Sequence, residues 1–297
     1  MSQKERSTRF TLQLLLLKKC NQKCGYCDVW EQSSLIRNSL KEHNKIIREK
    51  VQTFLEGFKE DIKQKFNNEL IISGGEPGLI DDLPLIVQDI IDLGFDVKLM
   101  SNGLVRKKFP ELAADPKVFY NEHLLKDIDP TGRKIKFYSD MDFIDVEESP
   151  NSRNIIVMTR GVCDYFLKPE NREELDHIKR FSLFKPLVYK KYSCMGFFED
   201  TLKLAKLTNS YEKLKFFSAL PEKYLDQLRL HCFNNTAHWV VDFERYVPEV
   251  FRCAMAISKS EFLKNPKPEE ITGAPSCCED CFAMPFISES NTLSKLI

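Results

Sequence analysis

Neither sign of charge predominates in this chain of 297 residues: Lys and Arg total 44, as do Asp and Glu. Proteins that bind phosphate backbones normally carry a basic excess, so nucleic-acid binding is not expected here, a local groove aside. A membrane-length apolar run is also missing. The run over 12–17 is short and broken by Gln13. It lacks a small-residue cleavage site, which argues against a secretory signal and makes a cytoplasmic protein the expectation. Repeats and low-complexity linkers are absent. Ten cysteines are too few for a disulfide scaffold at this length, so in a reducing compartment clustered ones point to metal binding or chemistry. The five histidines are scattered and read as surface or core residues. With 42% hydrophobic and 11% aromatic residues, the chain has the means to build a sizeable core.

What is present alternates. Residues 10–17 read as a buried strand that ends in a cysteine loop. The stretch 33–66 has no proline and is rich in Glu, Lys, Leu and Ile, which suits one long helix or two. A short apolar strand at 69–72 runs into Ser73-Gly74-Gly75-Glu76-Pro77. Asp81 and Asp82 look like N-terminal caps for a helix through Leu93, closed by Gly94. The next strand, 95–100, precedes Ser101-Asn102-Gly103. Further strands are expected at 141–146, 154–158 and 187–192 and a helix at 169–180, with 115–140 read as an insertion. Strand–helix alternation implies a parallel sheet with right-handed crossovers. Six strands in roughly 190 residues suit an α/β fold with a partial (β/α)6 TIM-like barrel better than an eight-fold one. The expected division is a barrel over 1–195 and a smaller cysteine-rich C-terminal region over 196–297.

The segment Cys20-Asn-Gln-Lys-Cys24-Gly-Tyr-Cys27 has CxxxCxxC spacing. Three thiolates on one short loop can hold three irons of a [4Fe–4S] cube and leave the fourth open to a small molecule, whereas electron carriers use four cysteines. Gly25 permits a sharp bend, and Tyr26 adds an aromatic beside the last ligand. A zinc site would want a fourth ligand, commonly His or a second CxxC, and no His lies near the loop.

These residues resemble the radical S-adenosylmethionine (SAM) superfamily: the cysteine motif after a first strand, then Gly74-Gly75-Glu76-Pro77 at the end of the second. The resemblance covers about residues 8–195. It implies that Cys20, Cys24 and Cys27 ligate the cluster and that Gly74 to Pro77 bind the methionyl amino group of SAM, with glycine backbone allowing close approach. Ser101 and Asn102 resemble a (Ser/Thr)-Asn-Gly motif near SAM; an ordinary turn explains them equally well. The implied activity is reductive cleavage of SAM to a 5′-deoxyadenosyl radical that abstracts hydrogen from a substrate. A flavodoxin or ferredoxin would donate the electron.

The tail Cys277-Cys278-Glu-Asp-Cys281, with Cys253 upstream, resembles the auxiliary-cluster domains called SPASM and twitch. The CxxCxxxxxC core of the full SPASM pattern is absent, so a reduced, twitch-like set is the closer match. It would hold a second [4Fe–4S] cluster, completed by Cys232 or Cys194 or left with an open iron; zinc or unligated thiols are the alternatives. Adjacent Cys277 and Cys278 are awkward as ligands of one cube, because neighbouring side chains point apart. Cys163 and Cys194 are candidate hydrogen-atom donors to a substrate radical, though free cysteine is commonly just buried.

A peptide or amino-acid derivative is the first expectation for the substrate, on the strength of the auxiliary-cluster resemblance. A nucleoside, nucleotide or sugar is the alternative, and a non-catalytic metal-binding module a third. The first strand begins almost at the start of the sequence, which leaves no room before it for a leader-peptide-binding domain. Asp142, Asp145, Glu147 and Glu148, with Arg160 and Lys168 beyond, fall where a polar substrate would be met, or on a solvated loop.

Overall fold

The computed structural model describes residues 10–22, 24, 29, 33–35, 37–124, 151–158, 160–171, 182–186, 238–244 and 248–251. They fall into two compact units. The first gathers the chain from β1 (Phe10–Leu15) to Leu99 and, from far downstream, β7 (His238–Asp242) and β8 (Glu249–Phe251). The second holds Gln22, Cys24 and the chain from Met100 through β6 (Ser182–Pro186).

In the first unit β1 lies between two parallel partners. One is β2 (Phe66–Ser73), with Leu12 opposite Leu70 and Leu15 opposite Ser73. The other is β7, with Leu14 opposite Val241 and Leu15 opposite Asp242. Beyond β2 comes β3 (Asp96–Ser101), parallel, and β8 closes the far edge antiparallel to β7. Leu12 and Leu14 to Leu17 are all buried, as expected of a strand covered on both faces.

Helix α1 (Arg37–Lys65) is one helix of 29 residues. Its buried stripe is His43, Ile47, Val51 and Leu55, at the spacing that stacks side chains along one face. Helix α2 (Leu83–Asp92) buries Leu83, Ile86, Val87 and Ile90 in the same way. Asp82 occupies the N-cap position without a side-chain cap bond, and Gly94, at φ +89°, turns the chain after the helix. Arg48 grips Asp89 through bonds of 2.8 and 3.0 Å, and Gln52 adds a third at 2.9 Å, tying α1 to α2.

In the second unit β4 (Val118–Leu124), β5 (Ser152–Met158) and β6 run parallel, with Glu122 opposite Asn154 and Asn154 opposite Ser182. Helices α3 (Leu104–Lys108) and α4 (Pro110–Ala114) lead into β4, and α5 (Arg160–Leu167) follows β5. The chain up to Pro186 thus has six described strands in a mostly parallel α/β arrangement, as expected. Some positions differ. Residues 118–124, assigned to an insertion, form β4: the polar pair Asn121 and Glu122 is buried, which hid the strand. Helix α5 and strand β6 are additions to the expected elements; of the helix expected at 169–180, Pro169–Asn171 is a 3-10 turn and 172–180 lie outside the described residues. The strands expected at 141–146 and 187–192, with the acidic residues of 142–148, lie outside the described residues. No helix among the described residues is long and apolar enough to cross a membrane.

Candidate active site

The parallel pairing of β1 and β2 continues past both strands into the segments that carry the two motifs. Leu16 N–H donates to the Ser73 carbonyl at 3.2 Å, Gly75 N–H to Leu17 at 2.8 Å and Glu76 N–H to Lys19 at 3.0 Å. The Gly-Gly-Glu segment is therefore stitched to the strand of chain that leads directly into Cys20. A Cβ built on Gly74, which sits at φ +148°, would come within 3.0 Å of the Leu17 carbonyl oxygen. One on Gly75 would crowd the carbonyls of both Lys18 and Lys19 just as closely. Two glycines are required here because the chain's own backbone passes against them. This is a different reason from the cofactor approach expected from the resemblance. With the N–H groups of Gly75 and Glu76 used in this way, carbonyl oxygens and the Glu76 carboxylate are what the segment can offer an ammonium group, the polarity a methionyl amino group needs.

Glu76 is fully buried and Pro77 begins the 3-10 turn Pro77–Leu79. Glu76 caps that turn, its Oε1 accepting from Gly78 N–H at 2.8 Å. Cys20 and Cys24 are half-buried. Their sulfurs lie 3.8 Å from Asn21 Oδ1 and from Gln22 Oε1, respectively. Cys27 and Tyr26 lie outside the described residues. Partly accessible thiols on one short segment are a soft donor set that suits iron–sulfur ligation. Among the described residues no three of His, Cys, Asp and Glu form a metal-holding group.

Sequence reasoning passed over the carboxylates at the end of β7. Asp242 and Glu244 are both buried. Lys18 Nζ lies 3.0 Å from Asp242 Oδ2, off the line of a good hydrogen bond, so the contact is an ion pair between two shielded charges. Asp242 Oδ1 accepts from Glu244 N–H at 3.0 Å. Glu244 accepts from Lys18 N–H at 2.5 Å, from Ser34 N–H at 2.7 Å, and from the hydroxyls of Ser33 and Ser34 at 3.1 and 3.3 Å. His43 Nε2 sits 2.9 Å from the Leu16 carbonyl. Burial lowers the His43 pKa despite that bond, so the ring stays neutral and Nε2 carries the hydrogen. The one legible signal was the run Val240-Val241-Asp242-Phe243-Glu244, apolar with two acids that look solvent-facing.

In the second unit, Ser101-Asn102-Gly103 forms a turn that starts α3. Ser101 Oγ accepts from Gly103 and Val105 N–H at 3.1 and 3.2 Å, Asn102 Oδ1 lies 3.4 Å from Leu104 N, and Gly103 has φ +98°. Glu122 lies under the turn, where a Cβ on Gly103 would sit 3.3 Å from its Oε1. Arg106 holds Glu122 with two 2.8 Å bonds, and Tyr120 OH donates to it at 2.9 Å. Burial, then the Glu122 charge, drives the Tyr120 hydroxyl pKa far above its usual value, so it remains a neutral donor. Cys163 lies on α5, its side chain outside the described residues, as are Cys194, Cys232, Cys253, Cys277, Cys278 and Cys281 entirely.

Residues 14–146 match the Radical SAM superfamily. That match takes in a little under half of the chain, which in this part is similar to radical SAM enzymes. A 7-carboxy-7-deazaguanine synthase of Aquifex aeolicus (strain VF5) is 25% identical over 134 residues, 43% of this chain and 55% of that protein. Among solved structures, Streptococcus suis SuiB bound to precursor peptide SuiA matches with TM-score 0.54 at 14% identity, over 87% of this chain and 62% of SuiB. SuiB bound to S-adenosylmethionine matches at 0.51 and 13%, over 86% and 62%. The α/β fold is shared with SuiB. The chain spans between about half and two-thirds of the length of these relatives.

Proposed function

We propose that this chain cleaves SAM reductively at a [4Fe–4S] cluster held by Cys20, Cys24 and Cys27, and modifies a peptide or amino-acid-derived substrate. The observation that carries the reading is the stitching of Gly75 and Glu76 to Leu17 and Lys19, which brings two motifs distant in sequence against one another at the ends of adjacent strands. When bound, the cluster supplies one electron to SAM, whose C5′–S bond breaks to give methionine and the 5′-deoxyadenosyl radical that takes a hydrogen atom from substrate. The chain's own part is to hold and orient. The carbonyls of the Gly-Gly segment and Glu76 would hold the methionyl ammonium, and Ser101 and Asn102 are kept as further SAM-binding residues. Cys163 or Cys194 returns a hydrogen atom where the outcome is epimerisation, and the thiyl radical left behind takes one electron from the flavodoxin or ferredoxin donor and a proton from solvent to regain the thiol.

The tail, Cys253 with Cys277, Cys278 and Cys281, is assigned a second cluster in a C-terminal region over 196–297 that builds onto the barrel of 1–195. Pairing of β7 with β1 supports that attachment. A peptide substrate is supported by the fold shared with SuiB, whose structure holds a precursor peptide. The deazaguanine synthase relative favours a second reading, a nucleobase-like substrate. A reducing, cytoplasmic setting with a flavodoxin or ferredoxin donor fits the cysteine-based cluster of this reading.

Anaerobically reconstituted protein given SAM and dithionite should release 5′-deoxyadenosine, and Cys20→Ala, Cys24→Ala or Cys27→Ala should each abolish it. Undiminished turnover in any of the three refutes the proposal. With two clusters the wild type should hold about eight irons and the triple variant about four; zinc alone, or no metal, in the triple variant removes the second cluster.

A further inference from the structure

We propose that Glu244 is the positioning residue of the cysteine loop, one carboxylate that pins both of its legs. The inference rests on the reading of that loop as the cluster loop. Lys18 stands just before Cys20, while Ser33 and Ser34 follow Cys27. Glu244 Oε2 takes the Lys18 N–H at 2.5 Å and the Ser33 hydroxyl at 3.1 Å; Oε1 takes the Ser34 N–H at 2.7 Å and its hydroxyl at 3.3 Å. A carboxylate has about four acceptor positions, and here four donors from the two legs fill them.

The carboxylate is itself held from beneath. Phe243 N–H donates to the Leu15 carbonyl at 3.0 Å, extending the β1–β7 pairing, and Asp242 fixes the Glu244 N–H. The Lys18 ammonium beside Asp242 compensates one of the two buried negative charges, and the N–H and hydroxyl donors solvate the other. Closing a loop by binding both its ends removes conformational freedom that ligand binding would otherwise have to remove. No shorter or neutral side chain does the same. Asp lacks the reach, and the amide nitrogen of Gln cannot accept from the N–H groups that one of the oxygens serves.

The test compares wild type, Glu244→Gln and the double variant Ser33→Ala/Ser34→Ala. In metal-free protein, hydrogen–deuterium exchange over 18–34 should quicken at least about ten-fold in both variants. After reconstitution, iron per chain in the triad site should fall several-fold, or the reduced cluster's EPR spectrum should broaden into a mixture. Wild-type exchange and wild-type EPR spectra in the serine double variant would overturn the inference, even if Glu244→Gln failed to fold. Failure of the wild type itself to load a cluster would instead sink the functional reading, and the exchange result would still judge the loop clamp.

Discussion

Substituting Gly75 by alanine puts the stitch between the two motifs to a quantitative test. The added Cβ would fall within 3.0 Å of the Lys18 and Lys19 carbonyl oxygens and of the Lys19 carbonyl carbon, all backbone atoms with no side-chain torsion to relieve them. Either the Gly-Gly segment or the leg before Cys20 must move. Overpacking of this kind costs about 1–3 kcal/mol. Movement also breaks the Gly75 and Glu76 bonds to Leu17 and Lys19, at about 0.5–1.5 kcal/mol each. The sum is about 4 kcal/mol, or a fall of roughly 10 °C in Tm for a chain of this size. Calorimetry on metal-free protein measures it without any cluster. Gly57→Ala is the control: a Cβ there meets nothing within 4 Å in the middle of α1, and alanine should stabilise by about 0.5–1 kcal/mol. A Gly75→Ala protein that melts within a degree or so of wild type would mean that the two backbones are not packed as described.

Two further outcomes are expected. His43 titrates below its ordinary value near 6.5, mainly through burial; the unfolded chain therefore binds its proton first, and stability present above about pH 6.5 should be lost as pH falls from there through the folded pKa. His43→Gln, which keeps a donor for Leu16, should flatten the difference in melting temperature between about pH 7 and pH 5, and an unchanged slope would rule the histidine out as its source. Arg106→Met leaves the buried Glu122 without its bidentate partner and should cost about 2–3 kcal/mol, toward the low end for such pairs because Arg106 is 35% exposed. Adding Glu122→Gln should recover part of it, and a double variant no more stable than Arg106→Met would count against an uncompensated charge as the cause.

What could be read from the sequence followed periodicity and motif spacing. The runs of β1 and β2, the stripes of α1 and α2 and the glycine after α2 state their structure locally, and the cysteine and Gly-Gly-Glu-Pro spacings state a chemistry. What could not be read depends on partners far along the chain. β4 carries Asn121 and Glu122 inward, and nothing local says that Arg106 and Tyr120 will satisfy Glu122. α5 is short and begins with Arg-Gly, a weak helix start. β7 becomes a strand by joining β1, more than 200 residues upstream. Its flanking acids look like surface residues until Lys18, Ser33 and Ser34 are set against them. The glycines were recognised, and the backbone crowded against them is a reason that lies outside the local sequence: a sequence shows that a close approach is needed and does not show what approaches.

The chain from Leu15 to Lys19 brings these distant contributions together. Leu15 accepts from Phe243 of the β7 end, Leu16 donates to Ser73 of β2 and its carbonyl meets His43 of α1. Leu17 and Lys19 accept from Gly75 and Glu76, and Lys18 donates to Glu244. Three elements, all later in the chain and one of them more than 200 residues on, thus fix five consecutive residues that end beside the first cysteine. Each bond is worth only about 0.5–1.5 kcal/mol net, against about 1–2 kcal/mol to order each residue's backbone. The bonds therefore do not pre-form the segment by themselves. The burial of Leu15, Leu16, Leu17 and Lys18 has to supply the balance. Packing makes this leg stable, while the hydrogen bonds set its path, so a substitution among the bonding side chains should displace Cys20 at a smaller cost in stability than one among the leucines. That separation is what a ligand-bearing leg requires: its position can be tuned from His43 or Glu244 without dismantling the core that carries it.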